Sequence, residues 1–303
     1  MDALEHLANS GARIFRPPMI TVTDMNGNIR AEQPLQIYET GHRNVVILVA
    51  AYGRALFQIL VDDLGVVRLE DNQWTIKMLL NADPYKAAMQ LTGKIAEAVI
   101  VRRCHEDMEV NRKYLSKARQ KRTAKAVAAR YEAIGTGLRE TQKHRGLYNS
   151  HDQQNDILWV NEQNQVALRE ETRSAGIYAG LQCKVSKNGV RYLLQDFLEH
   201  RYIVPVVYFD LSQDYEELLT RVYEKLRHED IKLENLLVSA RAVDPVGYDA
   251  VCNYAEMVEA ISMGKLSIDT LVNQSLIQND DFLKTAFVAQ ALDDDGTALY
   301  LPT

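Results

Sequence analysis

The sequence is poor in the features that mark secreted, zinc-binding and membrane-spanning proteins. It has only three cysteines, Cys104, Cys183 and Cys252, which lie far apart and form no CxxC pair. We therefore expect a reducing, cytoplasmic location and no zinc-finger-type site. The longest apolar run, Val45–Tyr52, is much shorter than the roughly 18 residues that a membrane helix needs, so we expect no membrane partner. The N-terminus has no basic region followed by a long apolar one, which argues against a secretory signal.

Several common enzyme motifs are also absent. The sequence has no GxGxxG or GxSxG, and its histidines form no HxH or HxxxH pair. Gly93-Lys94 lacks the leading glycine of a phosphate-binding loop. What remains is the composition of a globular protein, with 47% hydrophobic and 25% charged residues in 303.

The charges are unevenly distributed along the chain. The net charge is −6, yet residues 111–145 contain eleven Lys and Arg residues and only two Glu. An acidic protein with one concentrated basic segment can bind a polyanion locally, although a solvated helix face is the alternative interpretation. The candidate nucleic-acid-binding residues are Arg112, Lys113, Lys117, Arg119, Lys121, Arg122 and Lys125.

The hydrophobic pattern predicts a mixture of helices and strands. Asp83 followed by Pro84 is typical of a helix start, and helical spacing predicts one long helix or two consecutive helices over 83–133. Pro205 in the apolar run 202–211 predicts an edge strand or an irregular one. Further predicted elements are strands at 156–160, 180–185 and 235–243, and helices at 190–200, 213–228, 247–262 and 280–292.

Four polar residues occur in an order that suggests metal-assisted hydrolysis. Glu97 lies within the long helical pattern, Asp156 opens a strand, and Gln182 and Lys184 lie two residues apart on the next strand. Residues i and i+2 of a strand point to the same face, so the last two side chains project together. Mg²⁺ prefers oxygen ligands from carboxylates, and a nearby lysine can orient the attacking water.

This order resembles the PD-(D/E)xK, or restriction-endonuclease-like, nucleases, and the Gln-x-Lys variant resembles their Mrr-type branch. The resemblance covers residues 83–211 and implies an α/β (α+β) fold: a mixed central sheet flanked by helices. It leaves an N-terminal α/β extension at 1–82 and a mostly helical accessory region at 212–303. It also implies that Lys184 is catalytic, and that the metal ligands are Asp156, Glu97, Gln182 and the carbonyl of Cys183.

The sequence departs from the family pattern at several points. Asn155 stands where the family has proline, and Gln182 replaces a carboxylate. Asp152 is a competing metal aspartate, and Glu170 or Glu171 could supply an extra carboxylate. The first strand of the usual three is not evident, and the closest candidate is residues 137–149.

The resemblance implies a Mg²⁺- or Mn²⁺-dependent nuclease. We expect it to act on DNA rather than RNA and to form a homodimer, because many enzymes of this fold cut both strands as dimers. The alternative is a catalytically inactive nuclease fold that serves as a nucleic-acid-binding or assembly module. Metal binding near Asp156 distinguishes the two hypotheses.

Overall fold

The computed structural model describes residues 19–23, 29–34, 43–70, 73–78, 81–144, 146–149, 154–170, 177–227, 236–268, 270–271 and 300–301. The chain divides into two compact units, one formed by residues 1–54 and 270–303 and the other by residues 55–269. The first unit contains a three-stranded antiparallel sheet in the order β12–β1–β2, made of β1 (Met19–Thr23), β2 (Ile29–Pro34) and β12 (Tyr300–Leu301).

The second unit contains the predicted nuclease core. It begins with the end of helix α1 (Arg43–Gln58), a π-helical turn (Ile59–Asp63) and the hairpin of β3 (Val67–Glu70) and β4 (Gln73–Ile76). Its remaining helices are α2 (Pro84–Glu106), α3 (Met108–Ala118), α4 (Lys125–Ala128), α5 (Gly189–Leu198), α6 (Tyr215–Leu226), α7 (Ala240–Val243) and α8 (Pro245–Ser262). Its remaining strands are β5 (Glu132–Gly135), β6 (Ile157–Val160), β7 (Leu168–Glu170), β8 (Ile177–Tyr178), β9 (Gly180–Ser186), β10 (Val206–Asp210) and β11 (Leu237–Ser239).

A five-stranded mixed sheet in the order β11–β10–β9–β6–β5 organises this unit. Strands β9, β10 and β11 are parallel neighbours, whereas β6 is antiparallel to both β9 and β5. The connection from β9 to its parallel neighbour β10 contains α5, as a parallel crossover requires. The expected mixed sheet flanked by helices is therefore confirmed.

Alternate residues of β10 pack against helices on the two faces of the sheet. Val206 and Tyr208 belong to a buried cluster with residues of α5 and α6. Phe209 stacks on Tyr248 of α8, with ring centroids 6.3 Å apart. Helix α8 packs in turn along α2, whose middle is almost entirely buried. No helix among the described residues is long and apolar enough to cross a membrane.

Helix α2 begins where the sequence predicts. The Asp83 side chain accepts hydrogen bonds from the backbone N–H groups of Tyr85 and Lys86 at 2.9 and 3.2 Å, and Pro84 is the first helical residue. The helical run does not continue unbroken to residue 133. Asp107 has an extended backbone and caps α3 by accepting from the N–H of Glu109 at 2.8 Å, so one helix ends there and the next begins.

Three further details differ from the sequence predictions. The first strand of the sheet is Glu132–Gly135, and the suggested range 137–149 is wrong because Arg139–Lys143 forms a 3-10 helix. Pro205 does not mark an edge strand, because β10 begins after it and lies between β9 and β11. The predicted strand at 235–243 is a strand only over 237–239 and then becomes α7.

The predicted helix at 280–292 lies outside the described residues. The strands predicted at 156–160 and 180–185 and the helix at 190–200 are confirmed.

Candidate functional site

The predicted catalytic and metal-binding residues line one cleft of about 430 Å³ in the second unit. Glu97 reaches it from α2, Asp156 from the residue before β6, and Gln182, Cys183 and Lys184 from β9. A larger cavity of about 580 Å³ lies at the other end of β5 and β6 and contains none of these five residues. The cleft is therefore the candidate functional site.

Strand pairing places Asp156 beside Gln182. Ile157 pairs with Leu181 across the antiparallel β6–β9 pair, and the backbone N–H of Asp156 donates to the carbonyl of Leu181 at 2.9 Å. Gly180 allows this close approach, because a Cβ at that position would overlap the side-chain oxygen of Asn155. The 26 residues that separate Asp156 from Gln182 in the sequence are thus bridged by one step of the sheet.

The Asp156 carboxylate is buried and held by the backbone and side chain of β9. Its Oδ2 accepts a hydrogen bond from the backbone N–H of Cys183 at 2.7 Å and another from Nε2 of Gln182. Successive peptide groups of a strand face opposite sides, and the N–H of Gln182 accordingly donates to Pro205 in the other direction. The backbone of Cys183 therefore faces Asp156, and its buried thiol does not need to take part.

Among the described residues, no group donates a hydrogen bond to the side-chain oxygen of Gln182, although Gln182 is only 4% exposed. Leaving a buried acceptor without a hydrogen bond costs about 1–3 kcal/mol, so such an atom calls for an explanation. The Gln182 amide donates to Asp156, which leaves Oε1 as the available acceptor in the cleft. An amide oxygen beside carboxylates is a suitable ligand set for a hard divalent cation, so these residues fit Mg²⁺ or Mn²⁺.

Glu97 is the second buried carboxylate of the cleft. Burial, reinforced by the negative charge of Asp156, raises the pKa of Glu97 to about 8, although Lys94 and Lys184 oppose this rise. The Lys94 ammonium contacts both Glu97 oxygens, at 2.8 and 3.1 Å. Two buried carboxylates in one cleft attract a cation or retain a proton, which is the electrostatic condition for metal binding.

Lys184 projects from β9 on the same face as Gln182. It is half-buried, and its ammonium lies 5.5 Å from the centre of the Tyr202 ring. The Tyr202 hydroxyl donates to Asp196 at 2.6 Å, and Arg201 pairs with the same carboxylate at 2.9 Å. These contacts hold the Tyr202 ring in position beside the Lys184 ammonium.

The predicted nucleic-acid-binding segment does not line the cleft. It is attached near the other end of β6, where the Trp159 indole donates to Asn111 at 2.7 Å. Arg112 pairs with Glu109, Lys113 donates to the carbonyl of Val243, and Arg119 donates to that of Leu168. Within the described part of the chain, no ion pair involves Lys117, Lys121, Arg122 or Lys125.

The side chains of the alternative carboxylates lie outside the described part of the structure. Asp152 and Glu171 lie outside the described residues, and only the backbone of Glu170 is described, in β7. Among the described residues no group of three or more His, Cys, Asp or Glu side chains could hold a metal ion. Among the described residues, two carboxylates, the Gln182 side-chain oxygen and backbone oxygen would hold a metal at this site.

Lys94, Arg201 and Tyr192 are among the residues lining the cleft that sequence reasoning missed. Lys94 lies three residues before Glu97, a spacing that places both side chains on one face of a helix. That spacing was the available signal for this residue. The half-exposed Tyr192 lies in the first turn of α5, and Arg201 follows the end of that helix. The positions of both side chains depend on how α5 packs on the sheet.

Comparison with known proteins assigns no family to this chain. No protein-family model matches the sequence. No curated protein and no solved structure matches it either.

Proposed function

We propose that this chain is a metal-dependent nuclease with a restriction-endonuclease-like core, which hydrolyses phosphodiester bonds in DNA. The observation that carries the proposal is the convergence of Glu97, Asp156, Gln182 and Lys184 on one cleft from three separate elements. The order of those elements supports the proposed fold. Helix α2, strands β5, β6 and β9, helix α5 and strand β10 follow the helix–strand–strand–strand–helix–strand order of that family.

The site residues divide into metal-holding and charge-stabilising groups. Asp156, Glu97, Oε1 of Gln182 and the carbonyl of Cys183 would hold a divalent ion. When bound, the ion polarises the phosphate and makes a bound water more acidic. The hydrogen bonds from β9 to Asp156 fix that carboxylate before any substrate arrives, so little reorganisation is needed during the reaction.

Lys184 acts on the reacting groups. Hydrolysis forms a bond from the water oxygen to phosphorus and breaks one P–O ester bond, so the water loses a proton and negative charge grows on the phosphate oxygens. The Lys184 ammonium lines the same cleft as both carboxylates and can orient the water and stabilise that charge.

A nucleic-acid substrate is supported by positive charge at two places. Lys94, Lys184 and Arg201 supply positive charge within the cleft. The basic segment at the other end of β6 supplies exposed cations, including Lys121, Arg122 and Lys125. Contacts to the phosphate backbone give affinity without reading sequence, so a duplex that extends beyond the cleft can use both.

A cleavage assay on matched variants tests the proposal. Wild type, Lys184→Met and the control Lys225→Met, an exposed lysine of α6, are incubated with plasmid, linear duplex, single-stranded DNA and RNA. We expect the wild type and the control to cleave DNA with Mg²⁺ or Mn²⁺ and not with EDTA. Lys184→Met should lose about 100-fold or more in rate, while its melting temperature stays unchanged and its DNA affinity falls far less than its rate, because the basic segment and the other cleft cations remain. Full activity of Lys184→Met contradicts the assigned role.

The inactive binding module is favoured by one observation. The described residues provide only two carboxylates at the cleft, and an ammonium already contacts one of them. This alternative predicts DNA binding of equal strength in Mg²⁺ and in EDTA, with no cleavage of any of the four substrates.

A further inference from the structure

Lys94 contacts the carboxylate of Glu97, whose oxygens would have to be free in order to bind a metal ion. Its Nζ lies 2.8 Å from Oε1 and 3.1 Å from Oε2, so one ammonium contacts both oxygens. The Glu97 side chain is 5% exposed, whereas the Lys94 side chain is 29% exposed. The buried partner is thus fixed, and the partly exposed lysine is the member of the pair that can move.

The Lys94 ammonium is also under the influence of the other site carboxylate. Burial lowers the pKa of Lys94, but Glu97 and, more weakly, Asp156 raise it by more, so the net pKa is raised. The ammonium therefore compensates the charge of two buried carboxylates in a cleft lined by both. That is the electrostatic task of a divalent cation at the same place.

We propose that Lys94 is the internal counter-ion of this site: its ammonium holds Glu97 while no divalent cation is bound, and it leaves Glu97 when one binds. The inference rests on the proposed metal-dependent function. The released lysine stays in the cleft, where it can contact a phosphate of the nucleic acid.

Charge and space both support the exchange. A divalent ion bound to Glu97 repels an ammonium that contacts the same two oxygens, because both need the negative charge of one carboxylate. Lysine carries its charge on a flexible four-carbon chain that can reorient with little backbone change. The neighbouring Gly93 lines the cleft, and apart from its own stretch of helix no atom of the described residues lies within 4 Å of where its Cβ would be, so open space adjoins Lys94.

The exchange can be followed by the reactivity of the lysine amine, without measuring activity. Full-length wild type is treated at about pH 8.5 with an activated acetyl ester, in EDTA or in saturating Mg²⁺, and acetylation of each lysine is quantified by mass spectrometry. We expect Lys94 to react slowly in EDTA, where its ammonium contacts both Glu97 oxygens, and about tenfold faster in Mg²⁺, where the released amine is open to the reagent. The exposed Lys86, on the same helix and outside the cleft lining, is the control and should react equally in both.

A variant tests the contact without metal. Glu97→Gln removes the charge that holds the ammonium, so Lys94 should react faster even in EDTA, again by about tenfold. Circular dichroism verifies that the variant is folded. If it is not, the acetylation of Lys94 in the wild type, compared between EDTA and Mg²⁺, tests the proposal alone.

Calorimetry with Mg²⁺ separates this inference from the proposed function. If wild type binds no Mg²⁺, both the metal-dependent function and the exchange are overturned. If wild type binds Mg²⁺ and the acetylation of Lys94 does not change, only the exchange is overturned. Mg²⁺ binding together with faster acetylation of Lys94 supports both.

Discussion

Replacing Gln182 with glutamate removes an amide that donates to Asp156 and adds a third carboxyl group beside the two buried ones, Asp156 and Glu97. Gln182 is 4% exposed, and its Nε2 donates to Asp156 in the native protein. An ionised glutamate at this position would lose that hydrogen bond and repel the Asp156 charge. The less costly outcome in the absence of metal is that the new carboxyl group stays protonated, because it can then still donate to Asp156.

The size of the effect follows from the cost of keeping that proton. A carboxyl with an ordinary pKa of about 4.3 must hold a proton at pH 7, which costs about 1.4 kcal/mol per pH unit, or about 3–4 kcal/mol. For a domain of this size, this corresponds to a melting temperature about 7–14 °C below wild type. The pKa of the new acid is raised on folding, so stability falls as pH rises, and at about pH 5 the loss shrinks to about 1 kcal/mol.

Thermal melting in EDTA at a series of pH values measures this, with Gln195→Glu as the matched control. Gln195 donates its Nε2 to Glu199 at 2.6 Å, so the control makes the same chemical change at an exposed i,i+4 pair. It should cost no more than about 0.5 kcal/mol, with little pH dependence.

Adding Mg²⁺ should offset part of this loss of stability. A carboxylate is a stronger ligand for a hard cation than a neutral amide, so Gln182→Glu should bind Mg²⁺ more tightly and cleave at lower Mg²⁺. A tenfold gain in affinity adds about 1.4 kcal/mol of stability at saturation. If Gln182→Glu melts like wild type in EDTA at pH 7, the buried contact with Asp156 is refuted. If it melts lower and Mg²⁺ restores nothing, the metal site is refuted.

Three further predictions concern Glu97, the basic segment and Trp159. Burial raises the pKa of Glu97 to about 8 from an ordinary value of 4.5, so without metal the stability of the wild type should fall as the pH rises from 4.5 to 8. Glu97→Gln should remove this fall. If the melting temperatures of the two proteins change with pH in parallel, the prediction is contradicted. The second prediction concerns four basic side chains, Lys117, Lys121, Arg122 and Lys125. Neutralising them should lower the slope of log DNA affinity against log salt concentration by about 0.9 per lost phosphate contact. An unchanged slope would mean that these side chains form a solvated surface instead. Trp159→Phe removes the donor to Asn111 and should destabilise the protein by about 1–3 kcal/mol in denaturant unfolding, whereas a neutral result would mean that this buried contact is not made.

Local chemistry in the sequence determines part of the site. Asp83 and Pro84 start α2 because one supplies an acceptor for the free N–H groups and the other has a preset backbone angle. The spacing of Gln182 and Lys184 places both on one face of β9 because side chains alternate along a strand. These features involve neighbours in the chain and can be recognised without the fold.

Other features depend on partners distant in the sequence. The sequence pattern allows one long helix or two consecutive helices over 83–133, and the structure ends the first helix before Asp107, whose backbone is extended. The first strand is identified only by its pairing, since Glu132–Gly135 acquires its hydrogen bonds from Ile157–Val160. A four-residue strand has too short a pattern to be recognised alone.

The sequence by itself determined which residue types are present and how they are spaced: the oxygen-bearing side chains proposed as metal ligands, the lysine proposed as catalytic, and the basic segment. Only the tertiary structure decided where these groups lie. It joins Asp156 to Gln182 through one pair of strands, leaves the oxygen of Gln182 without a partner, and places Lys94 on Glu97. It also anchors the basic segment away from the cleft, through Trp159. The physical reason is that residue type determines what a side chain can bind, whereas strand register and helix packing determine what it meets.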